Sequence, residues 1–256
     1  MDYPQPKHSK VLVIGETCLD KYVFGTCERI SPEAPVPILN TGTATTLVKK
    51  GMAANVSTNI LSLGQQTELV TNKSDIIKTR FIDSKTKQQV LRVDEFDRCD
   101  PILQEILDIH LASHYDATVI SDYNKGFLTP EFLSRIIPKL PGPIFVDTKK
   151  KDLSPFENCI IKINEPESKE INNLPDSADL IVTIGNRGAK YKGEILTTNS
   201  CEVIDVCGAG DTFLSALAVH YCQFKNTRDA IRFANMCARV TVQKTGVYNV
   251  TLEDIK

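Results

Sequence analysis

The chain has 256 residues, of which 41% are hydrophobic, and a formal net charge of −2. A chain of this size can bury one large core, so we expect one main domain. Lys and Arg are spread along the sequence, and no basic patch indicates nucleic acid or an anionic membrane as a partner. Residues 1–10 are polar without an apolar core of signal-peptide length, and no later apolar run could span a bilayer. These features predict a cytoplasmic protein.

The eight cysteines are widely spaced and include no Cys-x-x-Cys pair. In a chain of this size they are expected to be small buried or half-buried thiols, not a disulfide framework or a zinc site. His110 and His114 have the i, i+4 spacing of a helical metal pair, but no patterned third ligand stands nearby. We therefore predict no metal centre built from protein side chains alone.

The first half of the chain predicts a buried strand and a small separate sheet. Lys10–Gly15 is a short apolar run that ends in glycine, as a buried first strand does. Tyr22–Asn40 alternates and carries three prolines, which favours edge strands and turns. Gly51–Leu63 has a helical apolar period and ends before a glycine. Thr79–Ser84 and Gln88–Val93 form a second alternating pair, expected to complete the small sheet.

After Arg98, segments typical of helices and strands alternate along the chain. Such alternation predicts a mostly parallel sheet with helices on both faces, and ligands bind such sheets at the carboxyl ends of the strands. The predicted helices are 101–111, 130–137, 210–224 and 227–244, and the predicted strands are 117–121, 143–146, 159–163 and 180–185.

Polar residues fall at those predicted strand ends. Asp and Asn also cap turns at such positions, so each taken alone has an ordinary structural interpretation. Their joint placement predicts one crevice that holds Asp20, Asp122, Asp147, Asn164, Thr183, Gly185 and Asp211.

The run Asp205–Asp211, followed by an apolar helical stretch, has the features of a phosphate site with a base attached. Gly208, Ala209 and Gly210 would present bare backbone N–H groups at the positive end of a helix. Asp211 would accept a proton from an attacking hydroxyl, and the helix end is expected to keep it ionised. The alternative interpretation is an ordinary glycine-containing helix start.

Four segments in order resemble the signatures of the ribokinase/PfkB carbohydrate kinases: Gly51–Ser57, Asn164–Glu167, Thr183–Gly188 and Asp205–Ala218. The resemblance covers the chain from Val11 to about Thr251. It implies one ribokinase-like kinase domain over residues 1–256, of class α/β. This fold has a mostly parallel central sheet with helices on both faces, plus a small β-sheet lid from about residues 22–40 and 79–93.

Within that family the chain is most similar to the heptose 7-phosphate kinases, on the runs Arg29–Pro37, Gln88–Asp94 and Ser121–Gly126. This likeness implies an enzyme that uses ATP and Mg²⁺ to phosphorylate the anomeric hydroxyl of a sugar phosphate, and a homodimer that pairs through the lid. Two alternatives stay open. One is a kinase of another sugar, such as ribose or fructose, and the other is a sugar- or nucleotide-binding relative that has lost catalysis.

The resemblance also implies roles for individual residues. Asp211 would be the base, with the backbone of Gly208, Ala209 and Gly210 as the anion hole. Asn164 and Glu167 would organise Mg²⁺ and the phosphates, while Thr183, Gly185, Gly188 and Asn235 would line the nucleotide pocket. Asp20, Gly51 and Asn55 would hold the sugar. The candidates for the cation at its phosphate end are Arg80, Arg92, Lys125 and Lys149.

Two departures from the family pattern bear on the sugar pocket. Lys50 stands where a glycine is usual, which is expected to place a bulky cation near the sugar. The stretch between Gly64 and Arg80 is shorter than the family's by roughly one helix and its loops. Because the sequence ends at Lys256, we also expect any second activity of such kinases to come from another protein.

Overall fold

The computed structural model describes residues 8–255, except for the side chains of Thr43 and Ala44. Residues 1–7, part of the segment in which the sequence predicted no signal peptide, lie outside the described residues. The strands are β1 (Lys10–Gly15), β2 (Thr17–Ile30), β3 (Pro37–Met52), β4 (Gln66–Val70), β5 (Ile76–Asp83), β6 (Gln89–Glu95), β7 (Ala117–Asp122), β8 (Ile144–Thr148), β9 (Ile160–Asn164), β10 (Asp179–Thr183), β11 (Ala189–Tyr191) and β12 (Glu194–Leu196). The helices are α1 (Ala53–Ser62), α2 (Gln104–Leu111), α3 (Pro130–Ile136), α4 (Glu165–Ser168), α5 (Ala209–Phe224) and α6 (Thr227–Thr241).

Eight strands form the main sheet in the order β12-β11-β10-β9-β8-β7-β1-β4. The six from β10 to β4 are parallel, and β11 and β12 add an antiparallel edge. The predicted mostly parallel sheet is therefore confirmed. Sequence patterning missed β4, β11 and β12, of which the last two have only three residues each.

Helices cover both faces of this sheet, as predicted, because its strands are apolar on both sides. In β1, Val11 and Val13 pack into the core formed with α1, α5 and α6. Leu12 and Ile14 point the other way, into the core formed with α2 and α3. A strand buried on both faces has this continuous apolar pattern. The arrangement brings the carboxyl ends of the parallel strands to one edge of the sheet.

The second sheet has four strands in the order β3-β2-β5-β6. Its strands extend beyond the predicted limits, since β2 has 14 residues and β3 has 16. Two of the three prolines lie in the turn between them, and Pro37 is the first residue of β3. That edge position suits proline, which cannot donate to a strand ladder.

The two sheets are joined directly after β4, because only residues 71–75 separate it from β5. In this described stretch no helix lies between Gly64 and Arg80, in agreement with the predicted shortening. Asn72 fixes the connection: its Oδ1 accepts from the Thr17 amide at 2.7 Å, and its Nδ2 donates to the Thr17 carbonyl at 3.2 Å. The lid sheet is thereby tied to the end of the main sheet.

Side chains alternate across the lid sheet, and this corrects the expectation for Lys50. Lys49 pairs with Asp20 and Gly51 pairs with Cys18, all on the face toward the main sheet. Lys50 pairs with Leu19 on the opposite face and is exposed. It is therefore directed away from the site where Asp20 lies. Along residues 8–255, no helix has the length and apolar character needed to cross a membrane.

Candidate active site

Asp211 lies in the first turn of α5, and its side chain is only 6% exposed. Asn55 of α1 donates from Nδ2 to Oδ2 of Asp211 at 2.9 Å. The Tyr123 hydroxyl donates to Oδ1 at 2.8 Å. Asn55 is itself fixed, because its Oδ1 accepts from Asn59 and Asn249, each at 3.1 Å. Both carboxylate oxygens of Asp211 are thus oriented by neutral donors.

Burial raises the pKa of Asp211 to about 6, although the hydrogen bonds from Asn55 and Tyr123 oppose this rise. The sequence had predicted the reverse, an acid kept ionised by the helix end. Desolvation outweighs the helix end because the carboxyl is almost fully enclosed. A pKa near 6 suits a general base better than that of an exposed aspartate, since the group is still ionised at neutral pH.

The turn before α5 brings backbone amides next to this carboxyl. Gly208 is the N-cap residue and has φ 77°, a left-handed conformation that glycine adopts without strain. A Cβ at Gly208 would lie 3.0 Å from the Asn55 side chain. The Ala209 amide donates to the Val206 carbonyl at 3.3 Å, a long contact. The amides of Gly208 and Gly210 have no backbone carbonyl partner among residues 8–255. Together with the Asp211 amide, which also has no such partner in this part of the chain, these two are the freest donors for an anion.

A cavity of about 240 Å³ lies on one side of this turn. Its walls come from the loops after β10 and β12 and from α5 and α6. It brings together four residues predicted to line a nucleotide pocket, Thr183, Gly185, Gly188 and Asn235. Asn235 donates to the Leu196 carbonyl at 2.8 Å, which closes the wall between α6 and β12.

An adjoining polar cavity of about 460 Å³ is lined by Asp211, Gly210 and Asn164, among others. Asn164 and Glu167 bond each other in a capping box at the start of α4. The Asn164 Oδ1 accepts from the Glu167 amide, and the Glu167 Oε2 accepts from the Asn164 amide, each at 2.9 Å. The other oxygen of Glu167 accepts from Lys149 at 2.6 Å. Of these two residues, Asn164 lines the cavity, and Glu167 reaches it through Lys149.

Asp147 also lines the polar cavity and forms a buried pair with Lys162 at 2.6 Å. The Lys162 ammonium is close to the helix start, because a Cβ at Gly210 would lie 2.9 Å from it. Carboxylate oxygens at Asp147 and Glu167 suit Mg²⁺, which binds proteins through one or two carboxylates and completes its shell with water and phosphate. Among residues 8–255, no cluster of three or more His, Cys, Asp or Glu side chains could hold a metal.

On the lid side, Asp20 lies on β2 and faces the cleft. Its carboxylate forms an ion pair with Arg80 of β5. Gly51 lies directly behind it, since a Cβ at that position would be 2.1 Å from Asp20 Oδ2. The predicted sugar residues Asp20, Gly51 and Asn55 are thus brought to the same part of the cleft as Asp211.

Three of the predicted polar residues are bonded to neighbouring charged side chains. Arg92 lies opposite Arg80 on the inner face of the lid, where it is exposed and forms two 2.7 Å hydrogen bonds with Asp94. Lys125 is bonded to Asp97 at 2.5 Å. Asp122, expected in the crevice, is instead buried in a pair with Lys150 at 2.8 Å. The prediction for Asp122 is therefore wrong, because its carboxylate is paired with Lys150 in the turn after β8.

Sequence reasoning gave no role to two residues that shape the site, Tyr123 and Glu16. Burial and the nearby Asp211 charge hold the pKa of Tyr123 well above its usual value, so its hydroxyl remains a donor. Glu16 is fully buried and accepts hydrogen bonds from three backbone amides of the loop that carries Tyr123. These are Tyr123 at 2.8 Å, Lys125 at 2.9 Å and Phe127 at 3.3 Å. The available signals were the place of Tyr123 in the run Ser121–Gly126 and, for Glu16, a charged residue directly after an apolar strand.

Comparison with known proteins identifies relatives of this chain. Residues 163–255, which include the turn and Asp211, match the profile of the pfkB family carbohydrate kinases. The chain carries a pfkB family carbohydrate kinase domain. This match supports an ATP-dependent sugar kinase.

The chain is also similar to bifunctional proteins named HldE. It is 32% identical over 301 residues to that of a Nitratiruptor species, with 96% of this chain covered. The chain spans 64% of the length of that relative. Because the alignment is longer than the chain, the relative contains segments that have no counterpart here.

Solved structures share the fold at low identity. Phosphofructokinase-2 from Escherichia coli superimposes with a TM-score of 0.77 and 15% identity, covering 96% of this chain and 97% of that one. Ribokinase from Thermotoga maritima gives a TM-score of 0.72 and 16% identity, covering 96% and 98%. The fold is therefore ribokinase-like.

Proposed function

We propose that this kinase phosphorylates the anomeric hydroxyl of D-glycero-β-D-manno-heptose 7-phosphate with ATP, giving the 1,7-bisphosphate. The observation that carries the phosphoryl-transfer part is Asp211, a buried carboxyl with a raised pKa, held by Asn55 and Tyr123 beside the amides of Gly208 and Gly210. The choice of sugar is supported by the heptose-kinase runs of the sequence and by the similarity to HldE proteins.

The reaction would proceed by in-line attack of the sugar hydroxyl on the γ-phosphorus. Asp211 accepts the hydroxyl proton, and the bond from phosphorus to the ADP oxygen breaks as the new bond forms. The amides of Gly208 and Gly210 would stabilise the charge on the transferring group, and the nearby Lys162 ammonium adds to their field. Asp20 and Asn55 would orient the sugar, so that its hydroxyl meets Asp211.

The nucleotide would occupy the cavity bounded by Gly185, Gly188 and Asn235, with its phosphates in the adjoining polar cavity. Mg²⁺, when bound there, would neutralise charge on the phosphates. Glu167 and Asp147 are the carboxylates that would hold it, directly or through water.

The lid sheet would cover the sugar and exclude water, which could otherwise attack ATP. Its outer face is partly apolar, with exposed Val48, Leu91 and Val93. We propose that this face pairs with a second copy of the chain, burying these side chains and the lid edges. Sedimentation velocity would test it: Leu91→Lys should give a monomer, and a wild-type monomer at micromolar concentration would contradict the pairing.

A coupled assay of ADP release over a panel of sugars and sugar phosphates tests the substrate. We expect heptose 7-phosphate to give the highest kcat/KM, with ribose and fructose far below it. Turnover of unphosphorylated sugars alone would favour the ribokinase- or fructokinase-like alternative. Saturable binding of sugar and nucleotide without any phosphorylated product would favour a non-catalytic relative.

The role of Asp211 is tested separately with Asp211→Asn. Loss of a general base lowers kcat by about 10²–10⁴-fold. Nucleotide affinity and thermal stability should be retained, since the variant keeps the size of the side chain and its amide can donate to the Tyr123 hydroxyl. Unchanged kcat in this variant would remove Asp211 as the base.

A further inference from the structure

A third cavity, of about 350 Å³, lies between the inner face of the lid and the segments around residues 204–207 and 245–246. It adjoins the site already described. Cys207, in its wall, directly precedes Gly208, and Arg80, also in its wall, is paired with Asp20. The Tyr22 hydroxyl lies 3.8 Å from the Cys207 sulfur, at the point where the lid meets the turn.

The walls of this cavity carry more basic than acidic groups. Three cations line it, Lys49, Arg80 and Lys87, against one acid, Asp205. The two oxygens of Asp205 already accept hydrogen bonds from the amides of Cys207 at 2.9 Å and Gly246 at 2.8 Å. Asp205 is therefore tied to the backbone of its own loop, and among residues 8–255 it forms no ion pair with these cations.

Of the three cations, only Arg80 has a carboxylate partner. Lys49 donates to the Val247 carbonyl at 2.6 Å, an uncharged acceptor. Lys87 lies exposed in the turn between β5 and β6, and within residues 8–255 it forms no ion pair. The cavity thus offers two ammonium groups without counter-ions, beside a guanidinium that still has free N–H donors.

The other basic groups near the cleft are less suited to an anion. Arg92, Lys125 and Lys149 are each bonded to carboxylates, and Lys149 is on the nucleotide side. Lys78 is buried against the Met52 sulfur at 3.5 Å and lies outside the cavity walls. A surface that carries positive charge in excess, next to the sugar residues, fits a doubly charged oxyanion.

We propose that this cavity binds the phosphate that the sugar substrate carries at the end remote from the reacting hydroxyl, with Lys49 and Lys87 as its ligands together with Arg80. The inference rests on the proposed function and specifies which residues select a phosphorylated sugar. Without that phosphate the cations stay unpaired, so the cavity favours sugar phosphates over free sugars.

Kinetics of Lys49→Met and Lys87→Met test the assignment with heptose 7-phosphate and with unphosphorylated heptose. Loss of one charged hydrogen bond should raise KM for the phosphate ester about tenfold or more. The KM for ATP and the kcat/KM for unphosphorylated heptose should stay within about twofold of wild type. The chain supplies matched controls: Lys50→Met on the opposite face of the same strand, and Lys85→Met in the same hairpin turn, should leave all constants unchanged.

The different failures can be told apart. If the wild type phosphorylates sugar phosphates but Lys49→Met and Lys87→Met behave as their controls do, this cavity is not the phosphate site and the proposed function stands. An equal loss of kcat/KM with phosphorylated and free heptose would mean that Lys49 and Lys87 have a general structural role. That result would also overturn the assignment. If the wild type accepts only free sugars, the proposed function itself is wrong.

Discussion

The Tyr123 hydroxyl donates a 2.8 Å hydrogen bond to Oδ1 of Asp211, across 88 positions of sequence. Tyr123 follows β7 of the main sheet, and Asp211 opens α5, so the bond joins two elements at the carboxyl edge of the sheet. The Tyr123 loop is in turn held by the buried Glu16. The orientation of the proposed base therefore depends on residues that themselves need not touch substrate.

The activity of the enzyme should fall as the pH drops through about 6, because burial raises the pKa of Asp211 to about 6 and a base must be ionised. The logarithm of kcat/KM, measured between pH 5 and 9, should decline with a slope of one on the acid side. A flat profile down to pH 5 would show that the base has an ordinary carboxyl pKa.

Removal of the Tyr123 hydroxyl should move this acid limb to higher pH. The hydrogen bond from Tyr123 lowers the pKa of Asp211, so Tyr123→Phe leaves a carboxyl that is harder to ionise. Tyr115→Phe is a matched control, since it removes a hydroxyl bonded to Glu68, away from the site. If the acid limb shifts equally in Tyr123→Phe and Tyr115→Phe, or in neither, Tyr123 does not position Asp211.

Glu16→Gln should lower the free energy of unfolding by about 1–3 kcal/mol, because one buried acceptor becomes a donor facing backbone amides. The acid limb of the rate profile should shift in the same direction as in Tyr123→Phe, since the Tyr123 loop loosens. Urea unfolding with a constant m-value measures the first effect. Glu157→Gln, at an exposed position, serves as the control. If Glu16→Gln is destabilised but its acid limb does not shift, Glu16 stabilises the fold without influencing Asp211.

Gly51→Ala should weaken sugar binding without affecting the nucleotide. The new methyl group would lie 2.1 Å from Asp20 Oδ2, so the Asp20 side chain must rotate away from its present position. We expect the KM for the sugar to rise about tenfold or more, as for loss of one charged hydrogen bond. Gly42→Ala on the same strand should be neutral. An unchanged sugar KM in Gly51→Ala would mean that Asp20 does not contact the sugar.

Two glycines of the nucleotide cavity should respond differently to alanine. Gly185 has φ 62° with open space around it, so Gly185→Ala should cost only backbone strain, about 1 kcal/mol. Gly188 has φ 100°, and a Cβ there would lie 2.2 Å from the Leu196 carbonyl oxygen. Gly188→Ala should therefore destabilise the protein several times more, as measured by thermal unfolding. Equal losses of stability in the two variants would show that the β11–β12 hairpin shifts easily to accommodate the methyl group at position 188.

Local sequence was sufficient for several parts of the structure. The apolar run Lys10–Gly15 predicted β1, and the apolar helical period before Gly64 predicted α1. The turn before Asp211 was predicted because Gly and Ala, followed by an acid and an apolar helix, leave few alternatives at a helix start. Long-range pairing was harder to predict. The strands β11 and β12 are too short to carry a periodic pattern.

The sequence by itself determined the parallel α/β architecture and the identity of the acid at the start of α5, because both depend on periodicity and on turn residues close in the chain. Only the tertiary structure decided the ionisation of Asp211 and the partners of the charged groups. Burial and the approach of Asn55 and Tyr123 set that pKa, and they come from distant segments. For the same reason Arg92 and Lys125 were predicted as substrate ligands, while folding pairs them with Asp94 and Asp97. Folding leaves Lys49 and Lys87 in the wall of the third cavity, beneath the lid.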